Sequence, residues 1–532
     1  MPPWEDRLRE KTGSWSDGSI AVALILLILS GVLLFSTRAR QQTADSLDYA
    51  LSARAGLGMY HPHHLLFIPI LRLFLTALSN LGVSRDPILA GQIHNVLWAA
   101  LTTLCFFIVA RRLLGSTPAA TLAAAFLLVT RGFWLYSTQL EVYVPATGCL
   151  ALMTVLLVGG PRAPLRAKRL VLLSLLLALA VLYHQSNLFF CIPLGYLLLG
   201  EVDRKWRSLW VMASAGALVL TAYLLAFHYT DVETRIPEIL STAQKSSLEG
   251  FVRFCLAYRY HPSPGWGTWR NVSVMGVGRL IHSQIRDLIT FPWILRFAVI
   301  PGFGLLMAGL ALWNALQSAR GATHATARRF LVIWLLTYDL FFLWWFPGEK
   351  EFFITLLYPL VLLAALAVQD WACAPAAGPR RRAWVLGGCV TLLGCVAATN
   401  ARETILPYHR DRGPAYAAAS ILDARIPADC LVIGDYTVGQ NLRYYFGRER
   451  FWETAMPLFY FYQDLPPARS LCTPRRDVCR GGSHLCLSRL FPGGAGCPPQ
   501  ARAMVEISRV ASRDGARLAS PRLIVQKIRR PG

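Results

Sequence analysis

The chain has 532 residues, of which 55% are hydrophobic and 16% charged, and its mean hydropathy is +0.42. That balance lies outside the range of ordinary soluble domains and excludes a purely aqueous protein. A formal net charge of +23 would suit a nucleic-acid binder, but the basic residues stand in short gaps between apolar runs, the pattern of membrane topology.

Apolar stretches of roughly 17–25 residues match the length needed to cross a bilayer core. In chain order they fall at Ser19–Ser36, Ile88–Ala110, Pro118–Tyr136, Val142–Gly159, Leu170–Tyr183, Leu188–Leu199, Ser208–Phe227, Trp293–Leu316, Phe330–Phe346, Phe352–Val368 and Ala383–Thr399. The sequence therefore predicts an α-helical polytopic membrane protein of about eleven transmembrane helices. The first stretch follows a long leader of mixed charge and reads as an uncleaved anchor.

Arg111-Arg112, the run from Arg162 to Arg169, Arg204-Lys205-Arg207, Arg328-Arg329 and Arg380-Arg381-Arg382 all lie between spans. With a cytoplasmic N-terminus, alternation puts every group on the cytoplasmic side. The apolar segment Leu65 to Leu81 is interrupted by Pro69, Arg72 and Asn80. Counting it as a span would move all the basic groups outside, so it is expected to be an interfacial helix on the outer surface. Three regions follow: a cytoplasmic leader at 1–18, a transmembrane domain at 19–400 and an extracytoplasmic domain at 401–532.

In the last region Cys430 to Tyr436 reads as a buried strand, and Gln440 to Phe446 as a helix, which suggests a small α/β unit. Seven of the twelve cysteines lie in or beside apolar runs, as small buried hydrophobes do. The others are Cys430, Cys472, Cys479, Cys486 and Cys497. The topology exposes them to an oxidising compartment, where one or two disulfides are expected with connectivity open.

The same topology collects Asp45, Asp48, His61, Glu141, His184 and Glu349 to Glu351 at the outer membrane boundary. Each has a plain structural reading. Asp45 and Asp48 could be loop residues or cap a helix over Ala50–Ala55, although three-residue spacing also puts both on one helical face. Glu141 could complement a helix dipole, and His184 could be a satisfied polar residue at a helix end. Lys350, between two glutamates, could be a solvated turn. Ionisable groups gathered on one side of a membrane domain favour function over these separate explanations.

Asp45-Ser46-Leu47-Asp48 followed by Gly58-Met59-Tyr60-His61-Pro62 resembles the acidic pair and histidine–proline motif of the protein O-mannosyltransferase branch of GT-C glycosyltransferases. His63-His64-Leu65 departs from that family's Pro-Gly-Tyr. Arg131-Gly132-Phe133-Trp134 running to Glu141-Val142-Tyr143 is similar to its second outer motif. His184-Gln185-Ser186-Asn187, and Lys350-Glu351-Phe352-Phe353 through Tyr358-Pro359, resemble later ones. The resemblance covers roughly residues 19–400 and leaves the C-terminal region unmatched.

It implies a bacterial inner-membrane enzyme that moves a sugar from a polyprenyl-phosphate donor to an extracytoplasmic acceptor with inversion. Its partners would be that donor, the lipid bilayer and the acceptor, with no nucleic acid. An acceptor hydroxyl needs a carboxylate to take its proton, which makes Asp45, Asp48 and Glu141 the catalytic candidates. The phosphate leaving group needs positive charge rather than an acid. Lys350, Arg259, Arg270 and His184 are candidates for that clamp, while His61, Tyr143 and Glu351 complete the expected binding set. Asp45, Asp48 and Glu141 could hold Mg²⁺ or Mn²⁺, but no cofactor is required. No dinucleotide fingerprint, P-loop or soluble Asp-x-Asp motif is present. The rival reading is a transporter or flippase of a lipid-linked substrate, which would call for broken helices and inverted repeats.

Overall fold

The computed structural model describes residues 17–56, 58–158, 167–199, 205–229, 247–255, 267–290, 293–319, 324–348, 350–374, 378–425, 432–434, 436–448, 451–453 and 524–525. The chain divides into two compact units, 1–41 with 49–411, and 42–48 with 412–532.

In the first unit the helices run α1 (Asp17–Ser36), α2 (Ala44–Ala55, begun in the second unit), α3 (Phe67–Asn80), α4 (Pro87–Leu114), α5 (Thr117–Val129), α6 (Arg131–Ser137), α7 (Tyr143–Leu157) and α8 (Ala167–Tyr183). They continue as α9 (Cys191–Leu199), α10 (Lys205–Tyr229), α11 (Leu248–Cys255), α12 (Val274–Leu288), α13 (Trp293–Ala319), α14 (Ala325–Trp345), α15 (Ile354–Ala372), α16 (Pro379–Asn400) and α17 (Leu406–Arg410). A helix thus stands at each of the stretches singled out by hydropathy. Five helical stretches among the described residues are long and apolar enough to cross a membrane, beginning at Gly18, Pro87, Leu209, Glu351 and Pro379, or six if α5 and α6 form one bent span.

Local chemistry sets these boundaries. Asp86 caps α4 by accepting from the Ile88 N–H, Pro87 fills its first turn, and Gly115 ends it at φ +65°. The expected single span Pro118–Tyr136 is instead broken at Thr130, where the chain turns by 64° between α5 and α6. Thr130 leaves helical backbone, and its hydroxyl donates to the Leu127 carbonyl. Gly132, just past the break, lets α6 close on α12. A Cβ there would lie 2.8 Å from the Asp287 carboxyl carbon.

α3 occupies the segment read as interfacial. Its fourteen residues extend roughly 21 Å, short of a bilayer core of about 30 Å. Phe67, Ile68 and Leu71 are buried on one face, and Leu73 is exposed on the other. The core of the unit is aromatic: Phe106, Phe330, Trp334, Tyr338 and Tyr358 are among its largest fully buried side chains. Tyr358 is fixed by a 2.8 Å hydrogen bond with Thr154 of α7.

In the second unit α18 (Pro414–Arg425) packs on α19 (Tyr436–Phe446) through Ala419, Leu422, Val438 and Leu442. A short sheet orders as β2 (Phe451–Glu453), β1 (Val432–Gly434), β3 (Ile524–Val525). β1 pairs with β2 in parallel and with β3 antiparallel. Strand β1 and helix α19 thus occupy the positions read as strand and helix; most of 401–532 lies outside the described residues. So do Cys430, Cys472, Cys479, Cys486 and Cys497. The seven other cysteines are free thiols.

Candidate functional site

Four distant sequence segments of the first unit meet at one place. The first is the turn Pro62–His64, a 3-10 helix capped by His61, whose Nδ1 accepts from the His63 N–H. The His61 and His64 rings stack at 4.2 Å with 5° between their planes, and Tyr49 packs edge-on to His64 at 5.1 Å. The turn is pinned by the Leu66 N–H donating to the Leu182 carbonyl, and by the Tyr223 hydroxyl donating to the Pro62 carbonyl. Gln185 gives its amide N–H groups to Tyr223 and to the Cys255 carbonyl. Its oxygen therefore faces His63 Nδ1 at 3.1 Å, so that nitrogen carries the proton.

His184, the second segment, caps the 3-10 helix Gln185–Phe190 and accepts from the Ser186 N–H at Nδ1. Tyr143, at the start of α7, packs 4.8 Å from the His184 ring. The fourth segment is the 3-10 turn Lys350–Phe353. Phe352 lies 5.8 Å from Tyr143 and 6.2 Å from His184, and stacks on Phe342 at 5.3 Å. His64 and His184 are 6.2 Å apart, which closes the cluster.

His63, His64 and His184 are held neutral. Burial, reinforced by the neighbouring imidazoles, pushes His63 and His64 well below the usual histidine range. The same causes push His184 down to about 3. Burial therefore favours the uncharged form of the His184 ring. It presents a hydrogen-bonding and stacking surface.

Glu141 is 1% exposed and sits in the turn between α6 and α7. Glu141, Glu351, Arg131 and Asp287 all lie within electrostatic reach of the buried Tyr136 hydroxyl. Arg131 and Asp287 form a buried ion pair at 3.6 Å, 4% and 0% exposed. A buried pair of this kind fixes geometry more than it adds stability. Glu351 is half-buried and Arg270 is exposed on the 3-10 turn Trp269–Asn271. Arg259, Glu349 and the Lys350 side chain lie outside the described part of the chain.

Asp45 and Asp48 belong to the second unit and occupy the first turns of α2, Asp45 exposed and Asp48 half-buried. Neither caps a helix over Ala50–Ala55. That helix starts earlier, and the Thr43 hydroxyl caps it by accepting from the Ser46 N–H at 3.0 Å. Their spacing puts both on one face of α2. Among the described residues no three His, Cys, Asp or Glu side chains are placed to hold a metal ion.

His64, Arg131 and Phe352 stand in the sequence motifs without an assigned role, and Tyr136 and Asp287 are site members that those motifs do not name. The run of histidines at 61–64 was the available signal for His64. Nothing in sequence marked Asp287, because its partner lies 156 positions away.

Residues 60–227 match the family model of dolichyl-phosphate-mannose-protein mannosyltransferases. That segment holds three of the four converging pieces. The structure is similar to that of ArnT from Cupriavidus metallidurans bound to undecaprenyl phosphate, at 14% identity and a TM-score of 0.50, over 82% of this chain and 87% of that one. The fold is GT-C. ArnT in its apo state gives 15% identity, 80% and 83% coverage and a TM-score of 0.48. The archaeal oligosaccharyltransferase AglB from Archaeoglobus fulgidus, in complex with an inhibitory peptide and a dolichol-phosphate, gives 13%, 76% and 58%, and 0.44. No curated protein matches the chain significantly. Over residues 60–227 the chain is thus similar to that family, and its fold is similar to that of ArnT.

Proposed function

We propose that the protein transfers a sugar from a polyprenyl-phosphate-linked donor to an acceptor hydroxyl on the outer face of a bacterial inner membrane. The observation that carries this reading is the convergence of His61–His64, Tyr143, His184 and Glu351–Phe352, with the buried Glu141 beside them, in a GT-C fold. Four segments spread over nearly 300 positions of sequence do not gather titratable and aromatic groups to stabilise a lipid-facing surface, where such groups are costly.

The chemistry assigns roles. Asp45 takes the acceptor proton as the anomeric carbon is attacked, with Asp48 holding a sugar hydroxyl and Glu141 orienting the acceptor. A single displacement inverts the anomeric centre and needs no second nucleophile. The departing phosphate is already a weak base, so Lys350 serves it as a point charge, with Arg259 and Arg270 as further cations. The neutral imidazoles and the Tyr143 and Phe352 rings give the sugar a wall of hydrogen-bond partners and apolar faces. No step is routed through a divalent ion.

The test is sugar transfer in vitro from a lipid-linked donor by purified protein, with the product anomer read by NMR. Asp45→Asn keeps shape and removes basicity, so kcat should fall by roughly a hundredfold or more while donor binding changes little. Lys350→Ala should weaken donor binding first. Full transfer by folded Asp45→Asn and Asp48→Asn would remove both carboxylates from the mechanism, and a retained anomer would end the single-displacement reading.

A further inference from the structure

The turn that carries Glu141 is held by side chains from inside an apolar helix. Gln92, His94 and Asn95 on α4 are all buried, Asn95 completely. Three polar residues within one turn of such a helix are costly unless each is satisfied. Each is. The Gln92 amide donates to the Ala39 carbonyl at 2.7 Å and to the Thr138 carbonyl at 2.8 Å. The Asn95 amide donates to the Gln139 carbonyl at 2.9 Å and to the Glu141 carbonyl at 2.7 Å. One turn of α4 thus grips two neighbouring stretches, which are also joined directly by the Ala39 N–H donating to Thr138. The Gln139 side chain completes the bracket by donating to the Gln41 carbonyl.

The proton positions in this bracket are determined. Asn95 can face two carbonyls only with its NH₂, which leaves its oxygen toward His94 Nδ1 at 3.1 Å. His94 Nδ1 must therefore be the donor. Independently, the Trp98 indole N–H donates to His94 Nε2 at 3.1 Å, which makes that nitrogen the acceptor. Both constraints select the same neutral tautomer. The Tyr183 hydroxyl lies 3.2 Å from Nε2, and Phe67 and Phe74 of α3 pack edge-on to the ring.

We propose that Gln92, His94 and Asn95 are positioning residues that set the Thr138–Glu141 turn, and so the placement of the Glu141 carboxylate, through a chain of hydrogen bonds running Trp98–His94–Asn95–Glu141. The proposal rests on the role given to Glu141 in the proposed reaction. Asn95 grips the turn through hydrogen bonds to its backbone carbonyls, so its effect on transfer passes through geometry. A displacement of about 1 Å at a reacting group costs on the order of a hundredfold in rate.

The experiment compares Asn95→Asp, Glu141→Gln and their double variant in the lipid-linked donor assay, with thermal unfolding recorded for each. Asn95→Asp is nearly isosteric but turns two donors into acceptors facing carbonyls. Its kcat should fall by roughly tenfold to a hundredfold, with donor KM within about threefold of wild type. The double variant should be no slower than Glu141→Gln, because residues acting through one another are not additive. His94 supplies a second route should Asn95→Asp fail to fold. His94→Asn retains an N–H near the Nδ1 position and should keep most of the rate, while His94→Leu should lose about as much as Asn95→Asp. Wild-type kcat in folded Asn95→Asp or His94→Leu, with Glu141→Gln impaired, overturns the bracket. Full transfer by Glu141→Gln instead overturns the role of Glu141 itself. Additive losses in the double variant overturn the claim that Asn95 works through Glu141.

Discussion

At the scale of single residues, the histidines give the sharpest consequence. His63, His64 and His184 are neutral in the folded protein at pH values where an unfolded chain would protonate them. An ordinary histidine titrates near 6.5, so the unfolded state binds more protons below that pH and stability falls as pH falls. The stability is fully present above about pH 7. It is lost progressively from about 6.5 down toward the depressed folded values, at about 1.4 kcal/mol per pH unit for each histidine kept neutral. Thermal unfolding in detergent or nanodiscs between pH 8 and 5 should show a falling midpoint, and His64→Gln should flatten the slope by one histidine's share. A flat profile in the wild type would show that the cluster accepts protons without cost.

At the scale of elements, the break between α5 and α6 does the positioning. A straight helix from Thr117 to Ser137 would carry Arg131, Tyr136 and the following turn along the span axis. The 64° bend at Thr130 turns them onto α12 instead. The contact requires glycine at 132, since a methyl group would overlap a carboxylate that is buried and paired with Arg131. Gly132→Ala should therefore cost about 1–3 kcal/mol by overpacking, read as a lowered unfolding midpoint, and should depress transfer by displacing the Arg131–Asp287 pair. An unchanged midpoint would mean that the side chain of Asp287 moves aside freely. Hydropathy placed a helix at each expected stretch because burial in lipid needs only apolar length. It missed the bend because the cause is one threonine's departure from helical backbone and a contact with a helix more than 150 positions away.

At the scale of the whole molecule, orientation carries the largest consequence. The basic loops predict that reporters fused after Arg112, Arg169 and Arg382 read as cytoplasmic, and that those after Tyr60, Pro347 or Gly532 read as external. A cytoplasmic signal at Gly532 would put the C-terminal region on the wrong side for an oxidising environment. With that region outside, non-reducing peptide mapping should find at least one disulfide among Cys472, Cys479, Cys486 and Cys497, and four free thiols there would reverse the expectation.

The sequence by itself determined the helical class, the short helix α3, and the segments that hold His61, Glu141, Tyr143, His184 and Glu351. Each is a local signal: an apolar run of given length, a proline or charge that interrupts it, a polar motif at its end. What only tertiary structure decided is which of those motifs touch, and what state their groups are in. The neutral His184, the buried Arg131–Asp287 pair and the Asn95 grip on Glu141 depend on desolvation and on partners remote in the chain. Gln92, His94 and Asn95 stand in plain view in the sequence as polar interruptions of a span. Their purpose appears only when the carbonyls they satisfy, 46 positions onward in both the Gln92–Thr138 and Asn95–Glu141 bonds, fold against them.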